Sequence, residues 1–156
     1  MTNSDTSVSA GATTTARLLH PSVDQRCAPI SMQVLRDIAD GLASSNPAPT
    51  GSLERGEVRR KRLLATTAYD AWLIELGPHA AIEPHDHEGS IGVTSVIEGN
   101  LVEFRAAEDG IIRSILRQAG PGETIEVGIT HRHLLMNSMN VPVRAVQTFS
   151  PPLGSD

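Results

Sequence analysis

Two short histidine clusters hold the residues of this sequence best suited to chemistry. The first is Glu83-Pro-His-Asp-His-Glu-Gly89, with His85 and His87; the second is Thr130-His-Arg-His-Leu-Leu-Met-Asn137, with His131 and His133. Four of the six histidines lie in these stretches, whereas surface histidines would scatter along the chain. Side chains alternate along an extended strand, so His85 and His87 share a face and can take adjacent positions on one metal ion. A third nitrogen can come from the second cluster, where His131 and His133 also share a face. Alternation alone leaves either as the third ligand, the other being a hydrogen-bond donor to a ligand or a residue of the cavity mouth. Neutral imidazoles are common metal ligands, and the residues predict a three-histidine metal site inside a β-barrel.

The elements that must position these residues are short and β-rich. Runs at Leu63–Thr67, Ala71–Leu76, Ile91–Ile97, Leu101–Arg105, Ile111–Arg117, Thr124–Val127 and Val141–Phe149 are separated by turn signals. Glu98-Gly-Asn100 and Asp109-Gly110 predict tight hairpins. Many strands without intervening helices predict an all-β antiparallel sandwich or closed barrel. Ahead of them, Val34, Leu35, Ile38 and Leu42 follow helical spacing, with Ser31 as N-cap. Residues 1–16 are Ser/Thr-rich and predict a mobile tail; residues 17–51 form a helical preface and linker; the barrel takes 52–156.

Composition narrows the function. At 156 residues the chain is long enough for one real core. A net charge of −5 leaves no electrostatic footprint for nucleic acid. No apolar run approaches the ~18 residues of a membrane span. The single cysteine, Cys27, allows no internal disulfide and suits a reducing compartment. The N-terminus has no basic stretch leading into an apolar core. The expectation is a cytoplasmic protein without nucleic-acid or membrane partners, acting as a monomer or homodimer.

Residues 59–152, about three-fifths of the chain, resemble the cupin superfamily, and within it the cysteine dioxygenase-like thiol dioxygenases. The general first cupin motif runs His-x-His, then a glutamate ligand, then a glycine. Here His85, His87 and Gly99 match it, and Gly92 stands at the glutamate position. The second motif ends His-x-x-x-Asn, matched by His133 and Asn137, so the resemblance prefers His133 as the third ligand with His131 the alternative; Phe149-Ser-Pro-Pro152 resembles the family's chain end. The fold implied is a cupin double-stranded β-helix, or jelly-roll barrel, with a short N-terminal helical segment.

The resemblance implies three neutral histidines on Fe(II), with O2 as co-substrate and cysteine or a related small thiol oxidised to a sulfinic acid. Ni(II), Co(II) or Zn(II) would also suit such a donor set. Arg62 fits the family's substrate arginine and would hold a carboxylate through paired charge-assisted hydrogen bonds. It also belongs to a basic run with Arg59, Arg60 and Lys61. The family's Ser-x-His-x-Tyr relay maps onto Ala145, Gln147 and Phe149, so all three roles are altered. Gln147 and Phe149 become substrate-binding candidates, and Tyr69 is the only phenol left to replace the lost one. This altered surround leaves two alternatives to sulfinate formation. One is a variant oxygenase of specialised metabolism that forms an S–N bond; the other is a non-oxidative or non-catalytic metal-binding cupin.

Overall fold

In a computed structural model, residues 27–153 are described apart from 108, 110 and 111. The tail expected over 1–16 and the turn expected at Asp109-Gly110 therefore lie wholly or partly outside the described residues. Among the described residues one helix, α1 (Met32–Ser44), precedes nine strands: β1 (Val58–Ala65), β2 (Asp70–Leu76), β3 (Ala81–His85), β4 (Ile91–Glu98), β5 (Leu101–Ala106), β6 (Ile112–Ala119), β7 (Thr124–Val127), β8 (His133–Met136) and β9 (Val143–Ser150). They form two antiparallel sheets, in the orders β1-β2-β9-β4-β7 and β3-β8-β5-β6. The all-β jelly-roll expectation holds.

Period-two alternation decides which side chains enter the space between the sheets. On β2 and β9 the inward set includes Ile74, Leu76, Val143 and Ala145, which pack with Val96, Leu101, Ile125 and Leu135. Outward positions do different work. Val93 on β4 packs under Leu35 and Ala39 of α1, and Thr148 Oγ1 donates to the Leu35 carbonyl at 3.4 Å. Ser31 caps the helix, its hydroxyl accepting from the Val34 amide. Glu75, also outward and fully buried, accepts from the Thr50 amide at 3.0 Å. Its neighbour Arg144 donates to the Pro47 carbonyl. The segment between helix and barrel is thus fastened to the sheet.

Two details differ from the sequence reading. The turn at Gly99 is tight, with φ +82° and no room for a Cβ, which would stand 2.6 Å from the Pro142 carbonyl oxygen. Yet it joins β4 of one sheet to β5 of the other, so it is a sheet-to-sheet corner and not a hairpin. Strands β3 and β8, which deliver the histidines, were not among the predicted runs. Each is only four or five residues long, and β3 contains Pro84, which weakens a strand signal. A proline is accommodated there because β3 lies at a sheet edge.

Candidate metal centre

The pairing of β3 with β8 puts His85 directly opposite His133. His87 lies two residues past the end of β3 and folds back beneath them, so it is not a strand residue as the sequence suggested. The Nε2 atoms of His85 and His87 are 3.3 Å apart, as are those of His87 and His133. Two nitrogens bound about 2.0–2.1 Å from one ion and about 3.3 Å from each other subtend roughly a tetrahedral angle at it. The spacing therefore fits a common ion.

Hydrogen bonding points the lone pairs the same way. His85 Nδ1 donates to the Glu83 carbonyl at 2.7 Å, and His133 Nδ1 donates to Glu103 Oε1 at 2.7 Å. In both rings the proton is thereby placed on Nδ1, leaving Nε2 as an acceptor aimed at the centre. His87 Nδ1 is buried without a hydrogen-bond partner. Burial, followed by the neighbouring imidazoles of His133 and His85, lowers His87 to about 3; burial also lowers His85. The three converging imidazole nitrogens form a group that could hold a metal ion.

Gly92 has a spatial reason for being glycine. A Cβ there would lie 2.9 Å from His87 Cε1 and 3.1 Å from Phe149 Cε1. The His87 ring and the Phe149 ring that packs edge-on against it, centroids 4.8 Å apart, occupy the room that a larger side chain would need. No carboxylate reaches the three-nitrogen centre from this position.

His131 is placed differently from these three histidines. Its Nε2 stands 3.2 Å from Glu103 Oε1, while its ring is edge-on to His133 at 5.5 Å. Glu103, His131 and His133 also form a close donor group. In that group Glu103 Oε1 is already engaged by His133, whereas the Nε2 atoms of His85, His87 and His133 have only one another as partners. The sequence reading missed Glu103. It shares a face of β5 with the core residue Leu101, and an acid at a core-facing position demands a buried partner. That alternation was the available signal. Burial would raise the Glu103 carboxyl, but the hydrogen bonds from His133 and Arg117 outweigh it and hold it below the usual range.

A cavity of about 380 Å³ opens beside His85 and His87, walled by residues 82–88 on one side and by Arg60, Trp72, Phe149 and Leu153 on the other. Arg62 is not among its lining residues. Cross-strand pairing puts Arg62 opposite Trp72, and its guanidinium covers that ring at 4.4 Å. Arg60, on the same face one pair along, lines the cavity and donates to Gln147 Oε1 at 3.4 Å. Gln147 is buried and donates in turn to Thr94 Oγ1. Arg132 donates to the Pro84 carbonyl at 3.2 Å and ties the histidine loop to the start of β8.

Two expected outer groups are elsewhere. The Asn137 amide donates to the carbonyls of Leu76, Gly77 and Val141, and its oxygen accepts from Met139. These bonds use its capacity at the far end of β8, away from the histidines. Tyr69 packs with the α1 cluster of Leu35, Ala39 and Val93 on the opposite face of the sheet. It does not replace the missing phenol.

No family model matches this sequence, and no curated protein does. Solved structures do match. A protein with a double-stranded β-helix domain from Klebsiella pneumoniae aligns at 22% identity and TM-score 0.54, over 64% of this chain and 82% of that one. A cupin superfamily protein from Desulfitobacterium hafniense aligns at 12% identity and TM-score 0.53, over 70% and 86%. Oxalate oxidase aligns at 18% identity and TM-score 0.51, over 67% of this chain and 55% of that one. The chain has the cupin fold, with a three-histidine cluster that can bind a metal. Among the described residues no helix is long and apolar enough to cross a membrane.

Proposed function

We propose that this protein is a metal-dependent oxygenase acting on a small thiol that carries a carboxylate, with cysteine as the reference substrate. The observation that carries the reading is the donor set: three imidazoles, no carboxylate among them, beside an open cavity. With Fe(II) bound, such a centre would supply O2 activation and transfer of both oxygen atoms to a thiolate (RS⁻ + O2 → RSO2⁻). His85, His87 and His133 would hold the ion by Nε2. Neutral ligands leave its charge uncompensated, which favours an anionic sulfur in the cavity. Arg60 is better placed than Arg62 to receive the substrate carboxylate, because it lines the cavity and is steadied by Gln147. Trp72 and Phe149 would exclude water from the side facing the sheet, and Arg62 would stiffen Trp72 from outside.

A second reading has its own support. Ala145, Gln147 and Phe149 leave no proton-shuttling side chain at the relay positions, and Tyr69 is on the other face. Capture of the sulfur by an amine, with O2 as the only oxidant, would balance as RSH + R′NH2 + O2 → RS(O)NHR′ + H2O and give an S–N bonded product. A site that performs no oxidation would fit a Zn(II) cupin. The test is metal analysis of purified protein, then O2 uptake with cysteine and with 2-aminoethanethiol, with products read by mass spectrometry under ¹⁸O2. Rapid uptake with two labelled oxygens on sulfur supports the first reading. An S–N product supports the variant, and absence of uptake by the Fe(II)-loaded protein rejects both oxidative readings.

A further inference from the structure

The carboxylate missing at Gly92 returns to this centre one bond further out. Glu103 is fully buried, with two hydrogen-bonded partners and a third ring close by. Its Oε1 accepts from His133 Nδ1 at 2.7 Å and faces His131 Nε2 at 3.2 Å, and its Oε2 accepts from Arg117 Nε. Register sets this up, since Glu103 lies directly opposite Arg117 on β6, while β8 brings the start of its own strand alongside β5. Arg117 also donates to the Glu126 carbonyl, so the guanidinium is itself anchored.

We propose that Glu103 is the positioning residue of the metal centre: it fixes His133 in the Nδ1–H form and lends that ligand anionic character. A carboxylate accepting from the far nitrogen of a ligand histidine raises the basicity of the near one, and such partners commonly affect metal affinity by about 10–100-fold. The three ligands are therefore unequal. His85 donates only to a neutral carbonyl, and His87 has no partner on its outer nitrogen. His133 alone is backed by a charge. Arg117 donates to the other carboxylate oxygen, and His131 stands beside Oε1. The inference rests on the three-histidine site and not on which reaction it performs.

Two measurements test it without relying on turnover. Long-range ¹H–¹⁵N spectra of metal-free wild-type protein should show His133 protonated at Nδ1 with an unprotonated Nε2. The Nε2–H form would overturn the proposal, and this holds even if every Glu103 variant failed to fold. Competition titration with Zn²⁺ and Co²⁺ should show affinity falling 10–100-fold in Glu103→Gln. Arg117→Gln, which leaves Glu103 on His133, should change it less than threefold. The Co²⁺ absorption bands should shift in Glu103→Gln and remain in Arg117→Gln. Equal affinity in Glu103→Gln and wild type would overturn the proposal. So would equal losses in the two variants, because the effect would then be general destabilisation. If instead His85→Ala and His87→Ala keep the metal while Glu103→Gln loses it entirely, the ion uses Glu103, His131 and His133, and it is the site reading that fails.

Discussion

The two ends of the barrel interior are built on the same strands and have opposite chemistry. At the closed end β9 contributes Val143 and Ala145; further along the same face it contributes Gln147 and Phe149. β8 supplies Leu135 at one end and His133 at the other, β5 Leu101 and then Glu103, and β2 Leu76 and Ile74 and then Trp72 and Asp70. Each of these four strands gains a polar group at about the same level. The closed end needs only volume and alternation, which many apolar residues satisfy. The open end needs particular atoms at particular distances, held by partners from other strands. The apolar end thus serves as the rigid base on which the polar end is positioned.

The strongest break between the two ends should come from the ligands. Alanine at His85, His87 or His133 should abolish tight metal binding, as read by titration of metal-free protein with Co²⁺. His131→Ala should retain it. At the closed end, Ile74→Val should cost about 0.5–1.5 kcal/mol of stability and leave metal stoichiometry unchanged. Loss of metal in Ile74→Val with the fold intact would show that the two ends are not separable.

Next in size is the cavity wall. If Arg60 pairs with a substrate carboxylate, Arg60→Ala should cost about 2–5 kcal/mol in kcat/KM for a carboxylate-bearing thiol. The loss should be much smaller for 2-aminoethanethiol, which has no carboxylate. Arg62→Ala should cost less for both, since that guanidinium stacks on Trp72 outside the cavity. The reverse order would restore Arg62 as the clamp.

A structural polar group at the closed end sharpens the contrast. Asn137 is fully buried and binds four backbone groups. Asn137→Ala should lower stability by about 1–3 kcal/mol through the unsatisfied carbonyls it leaves. Metal affinity should not follow, which a titration of the folded variant would check.

How much of this was legible in the sequence follows the same division. Alternation with turn residues was enough for the all-β class, since burying one face of each strand leaves that pattern behind. The triad His85, His87 and His133 was visible because its members are clustered and of a rare type. Motif position picked Arg62 and not Arg60, because both lie on one face and only the folded strand pair tells which lines the cavity. Glu103 and Arg117 are fourteen residues apart in sequence and meet through a register that the sequence does not spell out. Asn137 and Tyr69 were assigned by motif position and by elimination, and neither argument says which way a side chain points.

The smallest effect concerns Asp70, and its value lies in its sign. Asp70 is 2% exposed, on the inward face of β2 at the open end, and neither carboxylate oxygen has a completed hydrogen bond. Burial raises its pKa above the ordinary value, with the Trp72 indole and the Leu153 amide offsetting only part of that. An acid whose folded value is raised holds its proton in the folded state after the unfolded chain has released it. The folded protein then binds more protons across that window, so stability falls as pH rises through it. Below the window both states are protonated and the penalty is absent. Asp70→Asn keeps the shape and removes the charge, so it should raise the melting temperature of metal-free protein at neutral pH. The gain should vanish in acid, below the ordinary aspartate value of 3.8. A loss of stability at neutral pH would mean that the ionised carboxylate is satisfied at the cavity mouth, and the contrast between the two ends would narrow accordingly.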